Sequence, residues 1–334
     1  MRCIGMVLGA LALVAMGPGV ARADCNAYFK DQRFTLVVPF GAGGGYDAYA
    51  RAFAPVFEDI TAANVQVANI TGGGGIIGAG RVANAHADDR VFGFFSSSRA
   101  NAYHTEVPDS PGLVPLAGVQ LEYEVWIAAA GTNLEDLLET GIVSGGSSFY
   151  TGVTDTAFAA MALGADVSLV SGYDGSAESS AAILRGEVDL AGRTASSALK
   201  AKATGEFDIL LTLTDEPVDG LGVPALGNLA AARAVGLSPE ERAERMKFAA
   251  LAPKLTQNLR AFWASSQLAP EALACLVEGV SDAVASAAYL EAAAAIGRPV
   301  TSIAQHDAVA FFQATSAAFE ESEPLIEALR DTLK

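Results

Sequence analysis

The stretch Thr35-Leu-Val-Val-Pro-Phe-Gly-Ala-Gly-Gly-Gly-Tyr-Asp-Ala-Tyr-Ala-Arg51 decides the fold. Its β-branched start reads as a strand, residues 40–45 as a corner, and the alanine- and aromatic-rich remainder as a helix. Glycine has no Cβ, so such a corner lets bare backbone reach a ligand. The helix it opens presents unpaired N–H groups and the positive end of its dipole. A second corner, Thr71-Gly-Gly-Gly-Gly-Ile-Ile-Gly78, follows the next apolar run. Two corners of this kind in series suggest a site that holds small carboxylates.

Outward from these corners, short β-branched or aromatic runs alternate with alanine-rich stretches. The pattern predicts strands at 34–39, 65–70 and 91–96 with helices at 46–57 and 76–85 between them, the rhythm of parallel β-α-β units. The middle of the chain repeats it, with strands at 141–144, 167–171, 188–191 and 209–214 and helices at 153–163 and 176–184. Helices are expected at 226–235, 256–266 and 270–290. Residues 114–130 hold two apolar runs separated by Gln120-Leu-Glu-Tyr-Glu124, and residues 215–223 are rich in proline, glycine and acid. Read as two crossings, these segments divide the chain into a discontinuous first lobe, 24–124 plus 221–334, and a continuous second lobe, 125–220. The boundary between two such lobes is a standard place for a small-ligand cleft.

Arg2, the apolar run 4–16 and Ala21-Arg-Ala23 form a secretory signal peptide, with cleavage expected after Ala23 and the periplasm as destination. Removing residues 1–23 from 334 leaves 311, enough for two lobes. Taking Arg2 and Arg22 from 21 basic residues leaves 19 against 38 acidic ones, a net charge of −19. Such a surface argues against nucleic acid. It also slows the approach of a carboxylate, but salt screens that field within roughly 8 to 10 Å, so local groups decide binding. Cys25 and Cys275 remain after processing. In an oxidising compartment they either pair or leave one buried and one frayed thiol.

The second corner also fits a dinucleotide-type glycine spacing through glycines 75, 78 and 80. A Rossmann fingerprint would want an acid after the next strand, where this chain has Ser96-Ser-Ser-Arg99. A P-loop needs Lys followed by Ser or Thr, and no lysine occurs between Lys30 and Lys200. His86, His104 and His306 lie in segments without G-x-S-x-G or zinc-type spacing, so neither a hydrolase nor a metal site is indicated, and no cofactor is expected.

The opening stretch resembles the signature VVPF-x-PGG-x-D-x-x-AR of the substrate-binding proteins of tripartite tricarboxylate transporters, the Bug-type receptors. Thr71 to Gly80 resembles that family's PGAGG-x-IGA. Ser171-Gly-Tyr-Asp-Gly-Ser-Ala-Glu178 followed by Leu184-Arg-Gly-Glu-Val-Asp-Leu190 is similar to its YKG-x-x-P and LLGG-x-VD blocks. Val223-Pro-Ala-Leu226 and Ala295-Ile-Gly-Arg-Pro-Val300 match in order. The resemblance implies a type II periplasmic-binding-protein fold and a receptor that delivers an organic anion (a di- or tricarboxylate, an aromatic acid or a similar compound) to membrane permease subunits. A monomeric, non-enzymatic protein is expected.

Carried onto this chain, the resemblance places Phe40, Gly41, Ala42, Gly43 and Gly44 of the first corner at the ligand. From the second corner it places Gly73, Gly74, Gly75 and Ile76, where a Cβ would intrude. Second-lobe candidates are Thr151 and Thr154, which open one helix, and Tyr173, Asp174 and Ser176, which open the next. Departures from the family pattern leave alternatives open. Tyr46 either covers the ligand or packs on its lobe. Asp47 is either a first-turn acid of its helix or an acceptor for a ligand hydroxyl or water. Asp174 stands where the family has lysine. Arg193 with Thr194 either restores a counter-charge or pairs with Asp189 or Glu187, and Ser97 with Arg99 follows another strand in the same way. A sensor presenting the same ligands to a signalling partner, or a secreted hydrolase, are the competing readings.

Overall fold

The computed structural model describes residues 25–86, 89–329 and 332–333. The expected signal peptide and its cleavage point lie outside them. Among the described residues ten strands build two five-stranded sheets. The first sheet contains β1 (Arg33–Val38), β2 (Asn64–Asn69), β3 (Val91–Ser96), β4 (Leu113–Glu122) and, from far along the chain, β10 (Asn258–Ser265). The second contains β5 (Glu124–Ala129), β6 (Ile142–Gly146), β7 (Val167–Ser171), β8 (Leu190–Thr194) and β9 (Phe207–Thr212). Their spatial orders are β2-β1-β3-β10-β4 and β7-β6-β8-β5-β9. In each, a parallel trio is extended by antiparallel strands: β10 runs against β3 and β4, and β5 against β8 and β9. This is the two-lobed α/β periplasmic-binding fold.

The parallel strands follow from the sequence as expected. β1 buries Phe34, Leu36, Val37 and Val38, and the helix Gly45–Thr61 lays Tyr49, Phe53 and Phe57 on the sheet. Phe53 meets Phe262 at 4.1 Å between ring centroids, so the first helix and the late strand share one aromatic core. The expected helix at 256–266 is instead β10. All eight of its residues are buried, as befits a central strand covered on both faces, and such a strand shows no polar alternation to mark it.

The second crossing also differs in place. The first is Tyr123, between β4 and β5. The second was expected within 215–223, yet the helices Leu226–Arg233 and Pro239–Thr256 pack on the second sheet. Leu226, Ala230, Phe248, Ala252 and Leu255 join one core with Trp126, Phe158 and Leu211. The chain returns to the first sheet only at Gln257, where β10 begins. Finally, the helix Gln305–Leu329 touches both lobes: Ala308 sits in a first-lobe core with Trp263, and Phe319, Ile326 and Leu329 lie in the second-lobe core. Among the described residues no single helix is long and apolar enough to cross a membrane.

Cys25 and Cys275 are disulfide-bonded, tying the helix Cys25–Phe29 to the helix Pro270–Ala285 across 250 residues of sequence. A cross-link stabilises chiefly by restricting the unfolded chain. The double variant Cys25→Ser/Cys275→Ser is therefore expected to lose about 2–4 kcal/mol in urea unfolding. An unchanged midpoint would show that the bond does not constrain the unfolded chain.

Candidate functional site

The lobes face each other across a cleft of about 220 Å³. On the first lobe, β1 runs into the corner of residues 39–44, which turns into the helix Gly45–Thr61. Phe40, Gly41, Ala42, Gly44 and Tyr46 line the cleft. Tyr46 stacks on Phe40 with ring centroids 4.7 Å apart, and the Arg260 guanidinium lies 4.6 Å from its ring centre. Burial pushes the Tyr46 hydroxyl up to about 12, with Arg260 opposing, so it stays a neutral phenol.

Asp47 does not line the cleft. Its carboxylate accepts from the Gly43 amide at 2.8 Å and from Arg51 Nε at 3.0 Å, and Arg51 reaches on to Asn69. Burial works to raise this carboxyl, but the hydrogen bonds from Arg51 and Gly43 outweigh it and hold it below the ordinary range. Asp47 thus fastens the glycine loop to its own helix.

The second corner behaves differently from the first. Gly72 to Gly75 all adopt positive φ, which only glycine takes readily, and none of Gly73, Gly74, Gly75 or Ile76 is among the cleft-lining residues. A Cβ at Gly74 would stand 2.5 Å from the Ser147 carbonyl oxygen and 2.7 Å from Ser148 Cβ. The corner is therefore a seat for the opposite lobe. Two more contacts join the lobes: the Gly41 amide donates to the Asp174 carbonyl at 3.2 Å, and Arg99 Nη2 donates to Ser147 Oγ at 2.7 Å.

Two arginines line the cleft, Arg99 from the first lobe and Arg193 from the second. Ser96 caps the helix Ser97–Glu106 by accepting from the Arg99 amide at 3.2 Å, which fixes Arg99 in the first turn. The side chain is 3 % exposed, and Nε and Nη1 have no hydrogen-bond partner. Among the described residues it makes no ion pair within 4.0 Å. Ser97 turns away, its Oγ accepting from the Leu259 amide at 3.1 Å.

On the second lobe, Thr151, Tyr173, Asp174, Ser176, Arg193 and Thr194 line the cleft, whereas Thr154 is buried and donates to the Tyr150 carbonyl at 3.1 Å. Arg193 pairs with neither Asp189 nor Glu187. It donates to the Ser176 carbonyl at 2.8 Å and to Ser179 Oγ at 2.7 Å, clamping the start of the helix Ser176–Leu184. Glu187 is taken by Arg185 at 2.6 Å, and Asp189 accepts from the Val143 amide. Thr194 accepts from Arg260 Nη2 at 2.6 Å.

Sequence reasoning missed three carboxyls in this cleft, Glu124, Asp155 and Glu178, along with Ser96, Ser98, Ser147, Ser197 and Asn258. Glu124 opens β5 at the crossing and accepts from Asn258 Nδ2 at 2.7 Å. Asp155 sits in a single π-helical turn, Val153–Ala157, inside an otherwise α-helical segment. Such turns carry no sequence mark and recur at functional sites.

No family model matches the chain. A curated protein of Pseudomonas sp. (strain P51), described as the UPF0065 protein in the tcbD-tcbE intergenic region, is 40% identical over 82 residues, which are 25% of this chain and only 24% of that protein. Solved structures align over nearly the whole chain. The periplasmic binding protein BugD superposes with a TM-score of 0.66 at 18% identity, covering 91% of this chain and 98% of its own. MatC of Rhodopseudomonas palustris with bound malate gives 0.67 at 18%, covering 88% and 99%. Rpa4515 of R. palustris with adipate gives 0.67 at 20%, covering 89% and 97%. Fold and cleft together define a periplasmic binding protein architecture. Within that class, the chain has the fold of the Bug- and TctC-type binding proteins.

Proposed function

We propose that this chain is a periplasmic solute receptor of the tripartite tricarboxylate transporter type, which captures a small organic carboxylate between its lobes and delivers it to a membrane permease. The observation that carries the reading is Arg99, a buried guanidinium at the cleft with two nitrogens lacking acceptors and no ion pair among the described residues. A buried cation in that state favours an incoming carboxylate, because a charge-assisted hydrogen bond replaces none. The Gly41 and Gly44 backbone supplies close approach beside it. Malate and adipate bound to proteins of the same fold support the ligand class.

The test is isothermal titration of the purified protein against di- and tricarboxylates, aromatic acids and acidic amino acids. Binding to at least one group is expected. Arg99→Ala should weaken it by about 10- to 100-fold, the worth of one or two charge-assisted hydrogen bonds. Binding to none of the panel would overturn the reading.

A further inference from the structure

A cleft built only for anions would not place acids beside its arginine. Here Glu124 is 5 % exposed and Asp155 partly buried; both line the cleft, and neither makes an ion pair within 4.0 Å among the described residues. The backbone brings them together deliberately. Trp126, two residues beyond Glu124 and so on the same face of β5, donates from Nε1 to the Asp155 carbonyl at 2.8 Å. Gly192, the register partner of Trp126, makes room for the Asp155 side chain: a Cβ there would lie 2.6 Å from that of Asp155. One Asp155 oxygen accepts from Thr154 Oγ1 at 3.0 Å, and one Glu124 oxygen accepts from Asn258.

We infer that the cleft takes a zwitterion, an amino-acid-like ligand whose carboxylate meets Arg99 and whose ammonium meets the Glu124–Asp155 pair. The inference rests on the receptor reading above and narrows its ligand class. It explains why the site carries carboxyls that a plain dicarboxylate would have to face unpaired, at a cost in like-charge repulsion.

The charges around the pair set the pH dependence. Burial raises both carboxyls; Asp155 and Glu122 raise Glu124 further, while Asn258 and Arg260 pull it down. For Asp155, pushed up to about 6, the opposing groups are Thr154, Arg99 and Arg193. Tyr46 stays neutral; Tyr173, Asp174 and Glu178 also line the cleft, and Glu178 accepts from the Asp174 amide at 2.7 Å. An ammonium binds the ionised pair, so it displaces whatever proton the pair holds, and its affinity rises with pH through the titration of the pair. A second ligand carboxylate does the reverse: it favours the protonated pair, takes up a proton, and weakens as pH rises.

The decisive experiment is titration calorimetry on the wild-type protein with matched acids that differ by one ammonium: glutamate against glutarate, aspartate against succinate, alanine against propionate. Runs in buffers of different ionisation enthalpy report the proton exchanged. The amino member of at least one pair should bind about tenfold tighter or better, with proton release near pH 6 and affinity rising from about pH 5 to about pH 8. Asp155→Asn should lower the ratio of amino to des-amino affinity in the preferred pair by about tenfold, and an unchanged ratio would overturn the role of Asp155. Tighter binding of the des-amino members, or proton uptake with amino acids, would overturn the zwitterion while leaving the carboxylate receptor intact. Binding of neither series, nor of any other acid in the wider panel, would sink the receptor reading and this inference with it.

Discussion

Arg260→Met is expected to lower the stability of the protein by about 3–5 kcal/mol, a fall on the order of 10 °C in the unfolding midpoint. Arg260 is wholly buried on β10 beneath the cleft. Its Nε lies 3.3 Å from Glu122 Oε1, its Nη2 donates to Thr194 and Ser196 of the second lobe, and its guanidinium stacks over Tyr46 and Tyr49. A buried ion pair contributes little relative to two apolar side chains, but removing one partner strands the other. Glu122, 5 % exposed, would be left without its cation. Adding Glu122→Gln to Arg260→Met should therefore restore a large part of the loss, a coupling that a double-mutant cycle measures. Full additivity of the two substitutions would show that the pair is not a unit and that the stability resides elsewhere.

Gly74→Val should cost at least about 100-fold in ligand affinity while leaving the protein folded. The sequence led us to expect a Cβ here to block the ligand. The structure moves the clash to the far lobe, at the Ser147 carbonyl, and adds the cost of a β-branched residue at φ 62°. The lobes of the variant could not seat against each other, so small-angle scattering with saturating ligand should show a particle larger than wild type under the same conditions. Gly43→Ala is the contrast: its φ is 81°, yet a Cβ there meets nothing within 4 Å, so a modest effect is expected. Wild-type affinity and dimensions for Gly74→Val would mean that binding does not depend on this seat.

What the sequence disclosed, and what it hid, follows from how local each signal is. The first corner and its flanking elements were legible because an apolar run, three glycines and an amphipathic helix follow one another within a few turns of chain. Arg99 and Arg193 were visible as arginines after strands, but only coordinates separate the one with free nitrogens from the one that clamps Ser176 and Ser179. Asp47 kept the first-turn role that its position suggested. Glu124 and Asp155 escaped because their meeting depends on β5, β8 and a π-turn converging, a relation no spacing in the chain records. The strand β10 was hidden by burial on both faces, and with it the true place of the second return to the first sheet.

The position of β10 has a consequence for the newly made chain. In the finished sheet it lies between β3 and β4, yet more than a hundred residues separate it from both in order of emergence. Until residue 265 has emerged, β3 and β4 each keep a bare edge, and Phe53, Phe92 and Phe94 lack the ring of Phe262 that closes their core. Open edges beside uncovered aromatic rings invite pairing with other chains. The second sheet has all five of its strands in one unbroken run, and they can pair while the first sheet waits. The part that emerges first thus waits for a strand that emerges late, and its vulnerability to aggregation lasts as long as that strand is still on its way.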